Sequence, residues 1–106
     1  MKLTLDLGDQ ELGDAVSVGR VLVSEDRWLA VHESSEEGRI IGAARVRKGT
    51  KESFEIPLLA PTMQGVYFVV IHEDDGDSFF DYQKDAALIS DGHVVMTRFV
   101  AGYYEE

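Results

Sequence analysis

Apolar residues recur at every second position in short runs along this 106-residue chain, and that period constrains its fold more than any other feature. Side chains on an extended strand point alternately to opposite faces, so a period of two makes one wet face and one dry face. Leu3, Leu5 and Leu7 alternate with Lys2, Thr4 and Asp6. Val16 and Val18 open a second run, whose phase slips at Gly19-Arg20 and resumes at Val21 and Val23, as a bulge would produce. In a third run Trp28, Ala30 and His32 share one face and Leu29 and Val31 the other, which predicts a strand buried on both sides.

Ile40 to Val46 forms a fourth run that turns wet at Arg45 and Arg47. Phe54, Ile56 and Leu58 form a fifth, where Pro57 predicts an edge or a strand end. Val66 to Ile71 is uninterruptedly apolar and β-branched or aromatic, too short for a typical helix and suited to the centre of a sheet. A long acidic loop from Glu73 to about Asp85 follows, and a last strand runs from His93 to about Val100 after the turn signal Asp91-Gly92. No segment sustains a helical period. Strands spaced at about 8 to 12 residues predict an all-β chain, a two-sheet antiparallel β-sandwich of about seven strands, with residues 1–106 as one domain. Tyr67, just inside the central strand, stands where an immunoglobulin-like sandwich places a tyrosine corner.

With no cysteine, the chain has no disulfide, thiolate ligand or thiol nucleophile. Twenty carboxylates against ten lysines and arginines give a formal charge of −10, which repels phosphate backbones and argues against nucleic acid as a partner. No stretch reaches the roughly 20 apolar residues of a membrane-spanning helix, so membrane insertion is not expected. Met1 to Gly8 alternates and lacks a signal-peptide apolar block, the expectation for a cytoplasmic chain or for one whose leader has been removed.

Three groups of residues could carry chemistry. The run His72-Glu73-Asp74-Asp75-Gly76-Asp77-Ser78-Phe79-Phe80-Asp81 crowds carboxylates that a calcium ion would relieve, so calcium is the cofactor this run raises. Asp75, Asp77 and Asp81 are the preferred ligands, with Asp74 and Asp85 in reserve. The spacing departs from an EF-hand, and the competing reading is a solvated loop anchored by Phe79 and Phe80. His32 and His72 each end an apolar strand; if they converged with His93, they would suit zinc or copper(II), or serve a small enzyme. Glu73 with Asp81, or His72 with Ser78, could make an acid–base or base–nucleophile pair, but neither sits in a catalytic motif, and no enzyme is expected. Arg45, Arg47, Lys48 and Lys51 form a basic strand end that would suit a recruiting scaffold, or that simply blunts an edge.

The segments Val16-Ser17-Val18, Val21-Leu22-Val23, Trp28-Leu29-Ala30-Val31-His32-Glu33, the glycine-bearing strand Ile40 to Val46, Phe54 to Leu58, and Val69 to Asp77 with Phe80-Asp81 together resemble a known family. It is an uncharacterised β-sandwich domain common in secreted and surface proteins of halophilic archaea. The resemblance spans roughly residues 16 to 100. It implies a non-enzymatic module of envelope or exported proteins, with no agreed ligand and no catalytic residues to transfer; a rigid sandwich displaying an acidic loop would suit contact with another protein or a glycan. The chain departs from the pattern at Gln83-Lys84-Asp85-Ala86, where a proline-containing continuation belongs, and in showing no leader or anchor. If the acidic loop holds calcium, millimolar calcium raises the melting temperature of the wild-type chain through mass action on the folded state, and raises that of Asp77→Ala less. Equal insensitivity of both proteins in scanning calorimetry would remove the ion.

Overall fold

In a computed structural model of the chain, which describes residues 4–33, 38–74, 87–90 and 92–102, every regular element is a strand. The strands are β1 (Thr4–Asp6), β2 (Ala15–Val23), β3 (Arg27–Glu33), β4 (Ile40–Val46), β5 (Gly49–Pro57), β6 (Gly65–Glu73), β7 (Ile89–Ser90), β8 (His93–Val94) and β9 (Met96–Ala101). One sheet has the order β1-β2-β5, the other β4-β3-β6-β9, and β7 with β8 makes a small hairpin. All these strand pairs are antiparallel. The two larger sheets therefore contribute the seven strands of an immunoglobulin-like sandwich, with the fourth strand on the larger sheet.

The dry core lies between the sheets. Val16, Val18, Val21, Val23 and Ile56 face it from one side; Leu29, Val31, Ile41, Val46, Tyr67, Val69, Ile71, Phe99 and Ala101 face it from the other. As the alternation predicts, β3 is buried on both faces and sits inside its sheet, beside the equally interior β6. Pro57 closes β5 at the edge of the smaller sheet, where a missing N–H costs no ladder bond.

Tyr67 points into the core opposite Phe99, with ring centroids 5.6 Å apart. Its hydroxyl accepts the Met63 N–H at 2.8 Å, the backward tie of a tyrosine corner.

Two local expectations need correction. The phase slip in β2 is not a register-shifting bulge. Val18 pairs Phe54 and Arg20 pairs Glu52 in one unbroken register, and both strands change face together at Gly19 and Ser53, the latter left-handed at φ 52°. A register shift occurs instead between β3 and β4, where Val31 pairs Gly42 and His32 pairs Ile40, leaving Ile41 as the extra residue. The last strand is also interrupted. Val95 leaves the ladder so that its N–H donates to the Leu88 carbonyl while its own carbonyl accepts the Ile71 N–H, which lets the β7–β8 hairpin extend the edge of β6. Gly92, at φ 79°, supplies the left-handed residue that this two-residue hairpin loop requires.

The corner where the two sheets meet depends on Gly42. It bridges to Leu58, and a β-carbon there would come within 2.5 Å of the Pro57 carbonyl oxygen and 2.7 Å of the Leu58 side chain. A methyl group cannot fit without moving backbone. Gly42→Ala is therefore expected to destabilise the fold by about 1–3 kcal/mol, the usual range for overpacking. An unchanged urea midpoint would show that the corner yields freely.

Candidate functional site

The face of the four-stranded sheet turned away from the sandwich core has its own buried patch. Leu29, Val31, Val69 and Ile71 occupy the core, so Trp28, Ala30 and His32 on β3 and Phe68, Val70 and His72 on β6 project to the other side. Ala30 and Val70, which pair across the strands, are fully buried; His32 and His72 are each 4% exposed. His32 stands opposite Phe68 and His72 opposite Trp28, so the two imidazoles are diagonal neighbours that reach toward each other over Ala30 and Val70. The methyl side chain of Ala30 leaves the room they need.

Their Nε2 atoms lie 3.2 Å apart, joining residues 40 positions distant in the chain. The rings are within 6° of parallel, and their centroids are 5.4 Å apart, far beyond the nitrogen separation, so they meet nitrogen to nitrogen instead of face on face. The neighbouring bond fixes the protons. His32 Nδ1 lies 3.1 Å from the Gly38 carbonyl oxygen, which can only accept, so Nδ1 carries a hydrogen. A neutral His32 then has a bare Nε2, and His72 must donate to it from its own Nε2–H.

Burial, the neighbouring His72 imidazole and, in the opposite sense, the Gly38 carbonyl act on His32; the first two dominate and lower its pKa below the ordinary 6.5.

Beside His72 on the same face, on the rung where Trp28 pairs with both His72 and Arg45, Arg45 Nε donates to the Asp74 carboxylate, whose side chain is only 1% exposed, and Arg45 also lies 3.8 Å from Asp26. Asp74, one of the residues raised for calcium, is thus held against a guanidinium. Asp75, Asp77, Asp81 and Asp85 lie outside the described residues, as do Ser78 and Asp81 of the two catalytic pairings. Glu73 is exposed at the end of β6.

The basic strand end does not form one open patch. Arg45 faces Asp74 and Lys51 lies over the Phe54 ring at 4.8 Å from its centroid, while Arg47 and Lys48 are exposed. His93 is exposed on β8, and among the described residues no three His, Cys, Asp or Glu side chains form a metal-holding group. The structure therefore brings together two of the three histidines.

The opposite end of the sandwich carries residues that the sequence reading passed over. Thr62, only 5% exposed, ties two loops together: its N–H donates to the Gly13 carbonyl at 2.8 Å, and the Gly13 N–H donates to its hydroxyl oxygen at 3.0 Å. Leu58 N–H adds a bond to the Asp14 carbonyl. On these braced loops Leu59, Met63 and Leu12 are 90%, 76% and 56% exposed. A strand-period search does not see them, because they lie outside the strands.

The lowered pKa of His32 sets a pH dependence. An unfolded histidine takes up its proton near the ordinary value, whereas folded His32 resists it, so stability is complete above about pH 6.5 and falls as pH drops below it. In chelator-containing buffer the loss is expected to approach, at most, about 1.4 kcal/mol per pH unit for this one group, until the folded value is reached. Urea midpoints measured between neutral and mildly acidic pH should fall less steeply for His32→Gln than for wild type. An identical slope in both would place the sensitivity elsewhere.

Among the described residues no helix is long and apolar enough to cross a membrane. No curated protein and no solved structure matches the chain. A family model matches residues 3–101, and the chain belongs to that family, the domain of unknown function DUF7282.

Proposed function

We propose that this chain is a non-enzymatic β-sandwich module that docks onto another protein through the loop end built around Thr62. The observation that carries this reading is the display of Leu59, Met63 and Leu12 on loops that backbone bonds hold in place. Single exposed apolar residues are ordinary on protein surfaces. Three large ones on two loops tied to each other by hydrogen bonds are a different matter, because the loops need no further ordering to bind and the apolar side chains gain by leaving water. Such a surface suits a protein better than a glycan, whose hydroxyls call for polar and aromatic partners.

The non-enzymatic part of the reading rests on the histidines. His32 and His72 are withdrawn from solvent and direct their nitrogens at each other, which leaves neither poised against a substrate. The resemblance to surface-protein domains favours a place outside the cytoplasm, and there the acidic segment after β6 would serve as a solvated or calcium-stiffened loop. A scaffold acting through the basic strand end is the weaker alternative, since Arg45 is committed to Asp74.

The test is capture by cross-linking from cells expressing the chain. Leu59→Asp combined with Met63→Asp should leave the melting temperature close to wild type, because both side chains are already in water, and should abolish the captured partner band. Arg47→Glu with Lys48→Glu should retain it. Reversal of those two results would transfer the interface to the basic end, and unchanged capture by both variants would end the docking proposal.

A further inference from the structure

We infer, resting on the docking reading, that the partner is a polypeptide segment that sets one large apolar side chain beside lysine or arginine. Leu59 lines an open hollow of about 230 Å³ together with Ile40, Gly42, Ala43, Pro57 and Leu58, all of them apolar. A cavity of about 150 Å³ already holds a benzene ring, so this hollow has room for a leucine or phenylalanine side chain. Its walls are set by backbone. Gly42 lets Pro57 and Leu58 cross β4 at close range, and the Leu59 N–H donates to the Ile41 carbonyl at 2.7 Å, which fixes Leu59 beside that strand.

The adjoining concavity has the opposite chemistry. Leu12 lines it with the exposed carboxylates Asp9, Glu11, Asp14 and Glu55. The two hollows share a seam. Ala15 pairs with Pro57, and the Leu58 N–H donates to the Asp14 carbonyl at 2.9 Å; in each contact one residue lines the acidic hollow and the other the apolar one. Paired residues lie about 4.5–5.5 Å apart across a ladder, and alternate residues of an extended chain about 7 Å apart, so one short segment reaches both sides. The loops at residues 8–14 and 58–64 hold Asp9, Glu11 and Asp14 and no lysine or arginine. Arg39, next to Ile40 in the chain, is already engaged by Glu33 through bonds of 2.8 and 3.2 Å. The local charge is therefore negative, as is the whole chain at −10, which opposes a second copy as occupant and favours a basic one. The apolar side chain supplies affinity, and the cations set orientation and speed of encounter.

The probe is a short fluorescein-labelled peptide with one leucine flanked by lysines, titrated into the full chain and followed by fluorescence anisotropy. It should bind saturably. Alanine in place of the leucine should weaken binding by at least about 10-fold, and glutamates in place of the lysines should abolish it. Raising the salt from about 0.05 to about 0.5 M should weaken the lysine peptide several-fold, and Glu11→Gln with Asp14→Asn should both weaken it and flatten that salt dependence. Amide nitrogen-15 spectra of the wild-type chain should shift at Ile40, Ala43 and Leu59 and at Glu11 and Asp14, a readout that does not depend on any variant folding. No saturable binding at millimolar peptide, equal binding of the lysine and glutamate peptides, or shifts confined to other residues would each overturn the assignment. So would dimerisation of the chain in sedimentation that Leu59→Asp abolishes, because a second copy would then be the occupant. If cross-linked capture needs Leu59 and Met63 but ignores Glu11→Gln with Asp14→Asn, the docking reading stands and the basic partner falls. If Leu59→Asp with Met63→Asp changes neither capture nor peptide binding, the docking reading itself falls.

Discussion

The pairing of β3 with β6 is the contact on which the rest of the molecule depends. These two strands occupy the middle of the larger sheet, in continuous register from Arg27 opposite Glu73 to Glu33 opposite Tyr67. A strand in that position is dry on both faces, so every side chain along it must either be apolar or bring a polar partner with it. Leu29, Val31, Val69 and Ile71 meet the requirement on the inner face through the core. The outer face meets it in two ways. Ala30 and Val70 are apolar, whereas His32, His72, Arg45 and Asp74 satisfy one another in pairs.

Those polar pairs differ in what they add to the fold. An imidazole pair held neutral loses little on burial if each nitrogen finds a partner, and the Gly38 carbonyl accounts for the outward nitrogen of His32. The Arg45–Asp74 pair is charged, and removing both charges from water offsets much of their attraction. Its stronger effect is on specificity. Arg45 comes from β4 and Asp74 from just beyond β6, with β3 between them, so the pair spans three strands and penalises any register that would draw the two charges apart.

The sandwich was readable because its interior strands carry unmistakable patterns. Trp28 to His32, with apolar or aromatic residues in both phases, could only be a strand covered on both sides, and Val66 to Ile71 could only be its interior neighbour. Tyr67 and Pro57 announced a corner and an edge for equally local reasons. What escaped the alternation was set by two strands at once. Gly19 and Ser53 change face in concert and keep their register, which no single strand reveals. Val95 leaves its strand because Leu88 and Ile71 need its backbone groups, a demand coming from elsewhere in the chain. The acidic run drew attention by composition, yet the Thr62–Gly13 tie, made by a threonine among loop residues, carries no compositional signal at all.

The histidine pair shows why strand endings deserved more weight than side-chain type. Each imidazole stands at the exit of an apolar run, and the sequence alone joins two such exits only if the strands run parallel or cross between sheets with their ends together. The strands are antiparallel, with His32 opposite Phe68 and His72 opposite Trp28, so the two imidazoles start four rungs apart and can meet only by reaching along the sheet across something small. Ala30 is that small residue, and the bulge at Val31–His32 alters the local twist where His32 must be aimed. A larger side chain at position 30 would fill the space over which the rings meet, so the identity of an alanine with no chemistry of its own decides whether two histidines act as a unit.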